Sequence, residues 1–193
     1  SLVLVSKDGG RTMNTYLGMC QELQATDIDP AVIQTSKYLY LTGYLWDTES
    51  QKKAVRCALD EAKKCNTKVA ISLSDPFCVT RHKVDFKNLL QNYASMVFCN
   101  QEEAFTLLDT NVTQEAVEIL SNWTETVVLT LGANGALISH LGQTFYIDPL
   151  AVRVEDTTGA GDAFAAGFLY GMTHDLSALD SGRIGATLAG AVI

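Results

Sequence analysis

No run of apolar residues in this sequence approaches the roughly 18 needed to cross a bilayer; Val127 to Leu129 and Ala191 to Ile193 are typical of what there is. The marks of a signal peptide are missing too, because Ser1 to Val5 has no basic flank and runs at once into Lys7-Asp8-Gly9-Gly10. Basic charge is scarce: 14 Lys and Arg stand against 22 Asp and Glu, for a net charge of −8. That balance repels a phosphodiester backbone and argues against nucleic acid as a partner. It leaves small anionic ligands open, since backbone amides and a metal ion can hold them. The 3 histidines, His82, His140 and His174, show no ligand spacing and read as surface or internally satisfied side chains. The 5 cysteines are odd in number and include no CxxC pair. They fit a reduced cytosolic protein better than a disulfide framework or a zinc site. With 3 prolines and 47% hydrophobic residues in 193, disorder is excluded. The chain suits one α/β domain with a real core, or a large piece of a longer protein.

What is present alternates between short apolar runs and amphipathic stretches. Val3 to Val5 and Arg11 to Tyr16 flank an Asp-Gly turn and predict a hairpin. Asp29-Pro30 opens a short helix, with Asp29 as N-cap and Pro30 at the first helical position. Strands are predicted at Tyr38 to Leu41, Val69 to Leu73 and Met96 to Cys99. Helices are predicted from the box Thr48-Glu49-Ser50-Gln51 to about Lys64, over Asp85 to Gln91 and over Gln101 to Leu108. This alternation predicts a parallel sheet covered by helices on both faces. Three further strands, Val127 to Leu131, Ala136 to Ser139 and Thr144 to Ile147, are separated by Gly-containing turns. Helices follow over Ala160 to Met172 and Leu179 to about Val192.

The segment Asp156-Thr157-Thr158-Gly159-Ala160-Gly161-Asp162-Ala163-Phe164-Ala165-Ala166-Gly167-Phe168 carries most of the chemical information. Gly159 and Gly161 let the backbone turn sharply and approach a ligand without a Cβ in the way, and a helix starting here points free amides at the same spot. Such an anion hole suits a migrating phosphoryl group, whose charge is spread over its oxygens. Asp162, in the first turn, is placed to take the proton of an attacking hydroxyl, its own charge favoured by the helix dipole. The plainer alternative is that these glycines let the helix pack closely and that Asp162 is an ordinary first-turn acid. Rival phosphate motifs fail: there is no GxxxxGK[ST], and Phe164 stands where a dinucleotide fingerprint needs glycine. Asn100-Gln101-Glu102-Glu103 reads by itself as a capping box, and Thr130-Leu131-Gly132-Ala133-Asn134-Gly135-Ala136 as a Gly-containing turn between strands.

The string from Asp156 to Phe168 resembles the second signature of the ribokinase-like (PfkB) carbohydrate kinase family, Asp-Thr-x-Gly-Ala-Gly-Asp followed by a small-residue helix. Asn100 to Glu103 resembles that family's Asn-x-x-Glu motif and Thr130 to Ala136 its nucleotide-edge loop, in the family's order. The resemblance implies a Rossmann-like three-layer α/β/α sandwich with a small β lid, residues 1–18 forming part of the lid and residues 19–193 the kinase core. It also implies in-line transfer of the ATP γ-phosphate to a primary hydroxyl. Asp162 would be the catalytic base, and the amides of Gly159, Ala160 and Gly161 the anion hole. Arg11, Thr157 and Thr158 would bind phosphate, Asn100, Thr130, Gly132 and Gly135 the ATP, and Glu103 would sit near Mg²⁺, reached through ordered water. A monovalent cation is left open.

Finer resemblance points to the adenosine kinase branch. Arg11 in Gly10-Arg11-Thr12-Met13-Asn14 resembles an arginine that reaches the transferring phosphate there. Ser72-Leu73-Ser74-Asp75-Pro76-Phe77 resembles the branch's Asn-Leu-Ser-Ala-Pro-Phe, and Gly43-Tyr44-Leu45 its Gly-Phe-Phe. Leu45 stands where the branch has an aromatic that stacks on adenine, so Tyr44 or Trp46 would have to substitute, with Met13 also at the substrate pocket. Packing roles for the aromatics and a solvated hairpin charge for Arg11 remain open. A fructokinase or keto-deoxy sugar acid kinase shares every phosphate motif, and a non-catalytic nucleotide-binding domain of the same fold is a third reading. The expected setting is cytoplasmic, with a small-molecule nucleoside or sugar substrate, no nucleic acid or membrane partner, and a homodimer paired through the exposed lid edges. The chain opens inside a strand and stops inside the apolar helix Ala186 to Ile193, so a fragment is expected. It would lack the N-terminal glycines and acid that grip the substrate's hydroxyls and the rest of the wall around the ATP base.

Overall fold

Strands whose side chains alternate between two apolar faces are stable only when both faces are covered, and this requirement organises the molecule. The structure is a computed structural model that describes residues 2–5 and 11–193. Strands β1 (Leu2–Val5) and β2 (Arg11–Asn14) form a separate two-stranded antiparallel sheet. The second strand stops at Asn14, short of the expected Tyr16, and the expected Lys7-to-Gly10 turn lies outside the described residues. The main sheet has the order β3 (Tyr38–Thr42), β4 (Lys68–Ser72), β5 (Met96–Asn100), β6 (Thr126–Thr130), β7 (Ala136–His140) and β8 (Gln143–Ile147).

Pairing is parallel from β3 to β6 and antiparallel from β6 to β8. The reversal has a simple cause: the turns after β6 and β7 are short, and parallel strands need a crossover of a dozen or more residues. Alternate side chains then go to opposite cores. Val69, Ile71, Val97, Cys99, Val127 and Leu129 face one core, closed by helices α2 (Glu49–Cys65), α3 (Pro76–Asn92), α4 (Gln101–Leu108) and α5 (Thr113–Ser121). Ala70, Met96, Phe98, Val128 and Ile138 face the other, closed by α6 (Ala160–Thr173) and α7 (Ala178–Val192). The short α1 (Pro30–Thr35) adds Ile33 to the first core. Among the described residues no helix is long and apolar enough to cross a membrane.

Local chemistry starts these helices where the residues direct. The Asp29 carboxylate accepts from the Ala31 amide at 2.9 Å, with Pro30 opening α1. Thr48 and Gln51 form the reciprocal box that opens α2, whose inner stripe of Ala54, Val55, Ala58, Leu59 and Ala62 is buried. Two helices depart from expectation. α3 starts at Pro76 rather than Asp85, because Asp75 caps it by accepting from the Cys78 amide at 2.8 Å, and it is broken at His82 (φ −123°, ψ 25°). α5 was not anticipated; it has no side-chain cap, and only Ala116, Val117 and Leu120 mark its buried face.

α6 and α7 cross at unusually close range. A Cβ built on Gly167 would lie 2.8 Å from Gly185 Cα, and one on Gly185 would lie 2.8 Å from the Phe164 carbonyl oxygen. Both obstacles are backbone, so no side-chain rotation relieves them. Gly167→Ala is therefore expected to destabilise the fold by about 1–3 kcal/mol through forced helix separation, measured as a lowered urea midpoint. An unchanged midpoint would contradict the close crossing.

Candidate functional site

In open α/β sheets the C-terminal ends of the parallel strands form the crevice where ligands bind. Here Gly43 follows β3, Ser74 follows β4, Asn100 ends β5 and Thr130 ends β6, so every predicted strand-end motif arrives at one edge. The α6 N-terminus joins them. Asp156 Oδ1 accepts from the Thr158 amide at 2.9 Å and from the Thr158 hydroxyl at 2.7 Å, which folds the chain tightly ahead of the helix. Gly159 then takes a left-handed conformation (φ 81°) that any side chain would strain, and it serves as the N-cap without a side-chain hydrogen bond to the first turn. Ala160 N already donates to the Thr157 carbonyl at 3.2 Å. The amides of Gly161 and Asp162 are thus the first-turn donors that no capping side chain covers. Space opens beside them, since Cβ atoms built on Gly159 or Gly161 would meet nothing within 4 Å.

Two different environments meet at this turn. On one side is a cavity of about 330 Å³, to which Thr130, Gly132, Gly135, Thr157, Ala160 and Gly161 all contribute. Its apolar wall comes from Leu150, Val152, Val154, Phe164, Ala186 and Ala189. Gly135 (φ 78°) closes the Leu131-to-Gly135 loop; its amide donates to the Gly132 carbonyl at 3.1 Å, and any Cβ there would overlap the Ile147 carbonyl. On the other side the exposed carboxylate of Asp162 is felt electrostatically by Glu103, Tyr40 and Tyr44.

Glu103 is only 5% exposed. Its carboxylate accepts from Asn100 N at 3.0 Å and Asn100 Nδ2 at 2.8 Å, while Asn100 Oδ1 accepts from Glu103 N at 2.8 Å. The capping box is therefore formed, and it also holds a buried acid at the strand edge. Burial pushes the Glu103 carboxyl up to about 7; the Asn100 backbone hydrogen bond opposes this, while the charges of Asp75, Glu102 and Asp162 add to it. For Tyr44, burial together with the charges of Asp75, Asp162 and Glu103 pushes the phenol up to about 12. Negative charge thus converges at this edge.

The remaining predicted residues divide. Tyr44 is 46% exposed at this edge and donates to the Ser74 carbonyl at 3.2 Å, while Leu45 is partly buried against the first core. Trp46, expected at the substrate pocket, is instead a core residue. It is 3% exposed, its indole nitrogen donates to Asp85 Oδ2 at 2.8 Å, and the Arg56 guanidinium lies 5.3 Å from its ring centre. A ring so enclosed has no face to offer a ligand. Met13 is half exposed on β2, and the Arg11 side chain lies outside the described residues. Two contributors were missed. Asp75 stands in an Asp-Pro helix start like that of Asp29-Pro30, which was the available signal. The apolar wall from Leu150 to Val154 has no motif and is assembled only by folding.

The pfkB family carbohydrate kinase profile matches residues 1–193. A probable sugar kinase from Rhizobium etli superposes with a TM-score of 0.95 at 38% identity, over 99% of this chain and 58% of that one. The adenosine kinase from Sinorhizobium meliloti superposes with a TM-score of 0.95 at 37% identity, over 99% of this chain and 59% of that one. An uncharacterized sugar kinase of Archaeoglobus fulgidus is 25% identical over 189 residues, covering 96% of this chain and 72% of that protein. The chain belongs to the pfkB family of carbohydrate kinases, with a ribokinase-like α/β fold, and spans a little under three fifths of the two solved relatives.

The buried acid has a measurable consequence. An unfolded Glu103 would lose its proton near 4.5, the folded one near 7. The folded state therefore bears no cost below the lower value and loses stability as pH rises through this window. Glu103→Gln removes that loss. Relative to the unsubstituted chain it is expected to gain about 1–3 kcal/mol between about pH 4 and pH 8, measured by urea unfolding without nucleotide. Parallel pH profiles would contradict the burial of a titrating carboxyl.

Proposed function

We propose that the chain carries the phosphoryl-transfer centre of an ATP-dependent kinase acting on a primary hydroxyl of a nucleoside or sugar. The observation that carries this reading is the α6 start, where uncovered amides and an exposed Asp162 stand between an apolar cavity and a convergence of negative charge. The cavity, reached by Thr130, Gly132 and Gly135, suits the base and ribose of ATP, with Asn100 and Thr157 toward the phosphates. Gly161 N and Asp162 N, with Gly159 and Ala160 shaping the turn, face the transferring group. Thr158 keeps the turn folded, and Arg11 belongs on the same phosphate by its family resemblance.

The catalytic step in this reading is a proton transfer coupled to displacement. Asp162 accepts the proton of the attacking hydroxyl as its oxygen bonds to the γ-phosphorus, and the bond to the β-phosphate bridging oxygen breaks with ADP as leaving group. The fixed amides stabilise charge on the three equatorial oxygens without reorganising. Among the described residues no group of three or more His, Cys, Asp or Glu side chains could hold a metal ion. Both Glu103 oxygens are already bonded to Asn100. That donor set fits Mg²⁺ held mainly by water and phosphate oxygens, with Glu103 and the nearby acids as outer partners. Bound there, the ion would neutralise phosphate charge.

A nucleoside acceptor is favoured over fructose or a keto-deoxy sugar acid by the half-exposed Tyr44 at the edge and by the negative charge, which disfavours an anionic acceptor. Residues 1–18 are assigned to a lid, with residues 19–193 as the core. Exposed Leu2, Leu4 and Met13 support a dimer paired through that lid, which a monomeric mass in sedimentation would remove. The mechanism itself is tested by Asp162→Asn. It is expected to lower turnover by about two or more orders of magnitude while ATP affinity stays within about a few fold, measured with an adenosine and sugar panel. Near-normal turnover would remove Asp162 from the mechanism.

A further inference from the structure

Ser74 is not a glycine, yet it holds a left-handed backbone conformation (φ 74°), a strain that persists only where the surroundings enforce it. Those surroundings are a dense set of bonds between the turn after β3, residues 43–47, and the start of α3. Gly43 N donates to Ser74 Oγ at 2.7 Å, Tyr44 Oη to the Ser74 carbonyl at 3.2 Å, and Cys78 Sγ to the Gly43 carbonyl at 3.3 Å. No Cβ fits at Gly43, where it would lie 2.7 Å from the Leu73 carbonyl oxygen.

The outer end of the turn is held by Asp47. Arg81 Nη2 reaches both of its carboxylate oxygens, at 2.9 and 3.2 Å, and His82 Nε2 lies 3.1 Å from Oδ1. His82 is the residue at which α3 breaks, and its ring meets Phe86 edge-on at 6.3 Å. The helix interruption therefore coincides with the bond to Asp47. The segment from Pro76 to Arg81 is a short helical piece tied to the turn rather than continuous with the rest of α3. Its N-cap is Asp75, and both Asp75 and Tyr44 face the acidic edge occupied by Glu103 and Asp162.

We propose that Asp47 is a positioning residue that locks the 43–47 turn and the 75–82 segment into one unit, fixing Tyr44 and Asp75 at the acceptor side of the site. The inference rests on the functional reading above for what the unit positions, but the lock itself is independent of any substrate. A bidentate arginine–carboxylate pair has the geometric specificity for this role. An ordinary surface ion pair would leave the two segments to move independently.

Hydrogen exchange of the full chain decides it, using Asp47→Ala, Arg81→Ala and the double variant. Arg81 is half exposed, so its substitution keeps the test usable if Asp47→Ala folds poorly. Exchange over 43–47 and 76–82 is expected to rise together in both single variants, by about tenfold in Asp47→Ala and by less in Arg81→Ala, which leaves the His82 contact in place, with no rise in the double beyond that of Asp47→Ala and with β5 and β6 unchanged. Separate responses, or additive effects in the double variant, would overturn the lock. Positioning is read from kinetics with ATP and adenosine or D-fructose. Asp47→Ala should raise the acceptor KM by about fivefold or more while the ATP KM stays within about twofold, and Asp47→Asn should recover part of the loss. Equal rises in both KM values, or a fall in kcat alone, would overturn the positioning role. If the unsubstituted chain turns over neither acceptor, the functional reading fails by itself, and the exchange data still decide the lock.

Discussion

A helix start whose first amides meet neither a capping side chain nor a covering Cβ is an incomplete structure, and the α6 start is such a place. Gly159 can adopt its left-handed turn because it has no side chain, and for the same reason it cannot cap the helix it begins. The donors left over are what the proposed reading assigns to an anionic ligand. The rest of the fold serves to hold that turn against the C-terminal edge of four parallel strands. Phe98 meets Phe168 edge-on at 5.8 Å, and Gly167 lets α7 approach closely enough to close the second core.

The second constraint is electrostatic. Asp75, Glu103 and Asp162 come from three different helix starts and converge at one edge. Each is favoured there individually, because acids suit helix N-termini, yet together they repel. Burial and this repulsion hold the Glu103 proton on into the neutral range. Such an arrangement costs stability by itself and would be relieved by a cation or by protons, which in the proposed reaction would be the divalent ion that accompanies the nucleotide and the proton of the attacking hydroxyl.

Much of this was legible in the residues because local chemistry decided it. The Asp29-Pro30 and Thr48-to-Gln51 starts, the Asn100–Glu103 box and the Gly159 turn all depend on neighbours within four positions, and all formed. What stayed hidden depends on tertiary packing. The α3 start at Asp75 carries the same local Asp-Pro signal as Asp29-Pro30, but the helix breaks at His82, where the ring lies against Asp47, far away in sequence, so residues 76–92 do not read as one periodic run. α5 lacks a cap to announce it. Trp46 looked available in a Tyr-Leu-Trp run, but a 3₁₀ turn over Gly43–Trp46 rotates it into the core and leaves Tyr44 outside. The apolar wall at Leu150 to Val154 faces α7 and has no sequence signature at all.

In the proposed function the Gly161 and Asp162 amides receive the phosphate tail of a nucleotide. Backbone amide NMR of the ¹⁵N-labelled chain during titration with ATP and Mg²⁺, against an adenosine control, addresses it directly. The expected result is that these two resonances shift most with ATP and hardly with adenosine, while the cavity residues Thr130 and Gly135 respond to both. Shifts confined to other surfaces, or none at residues 161 and 162 at saturating ATP, would contradict the account.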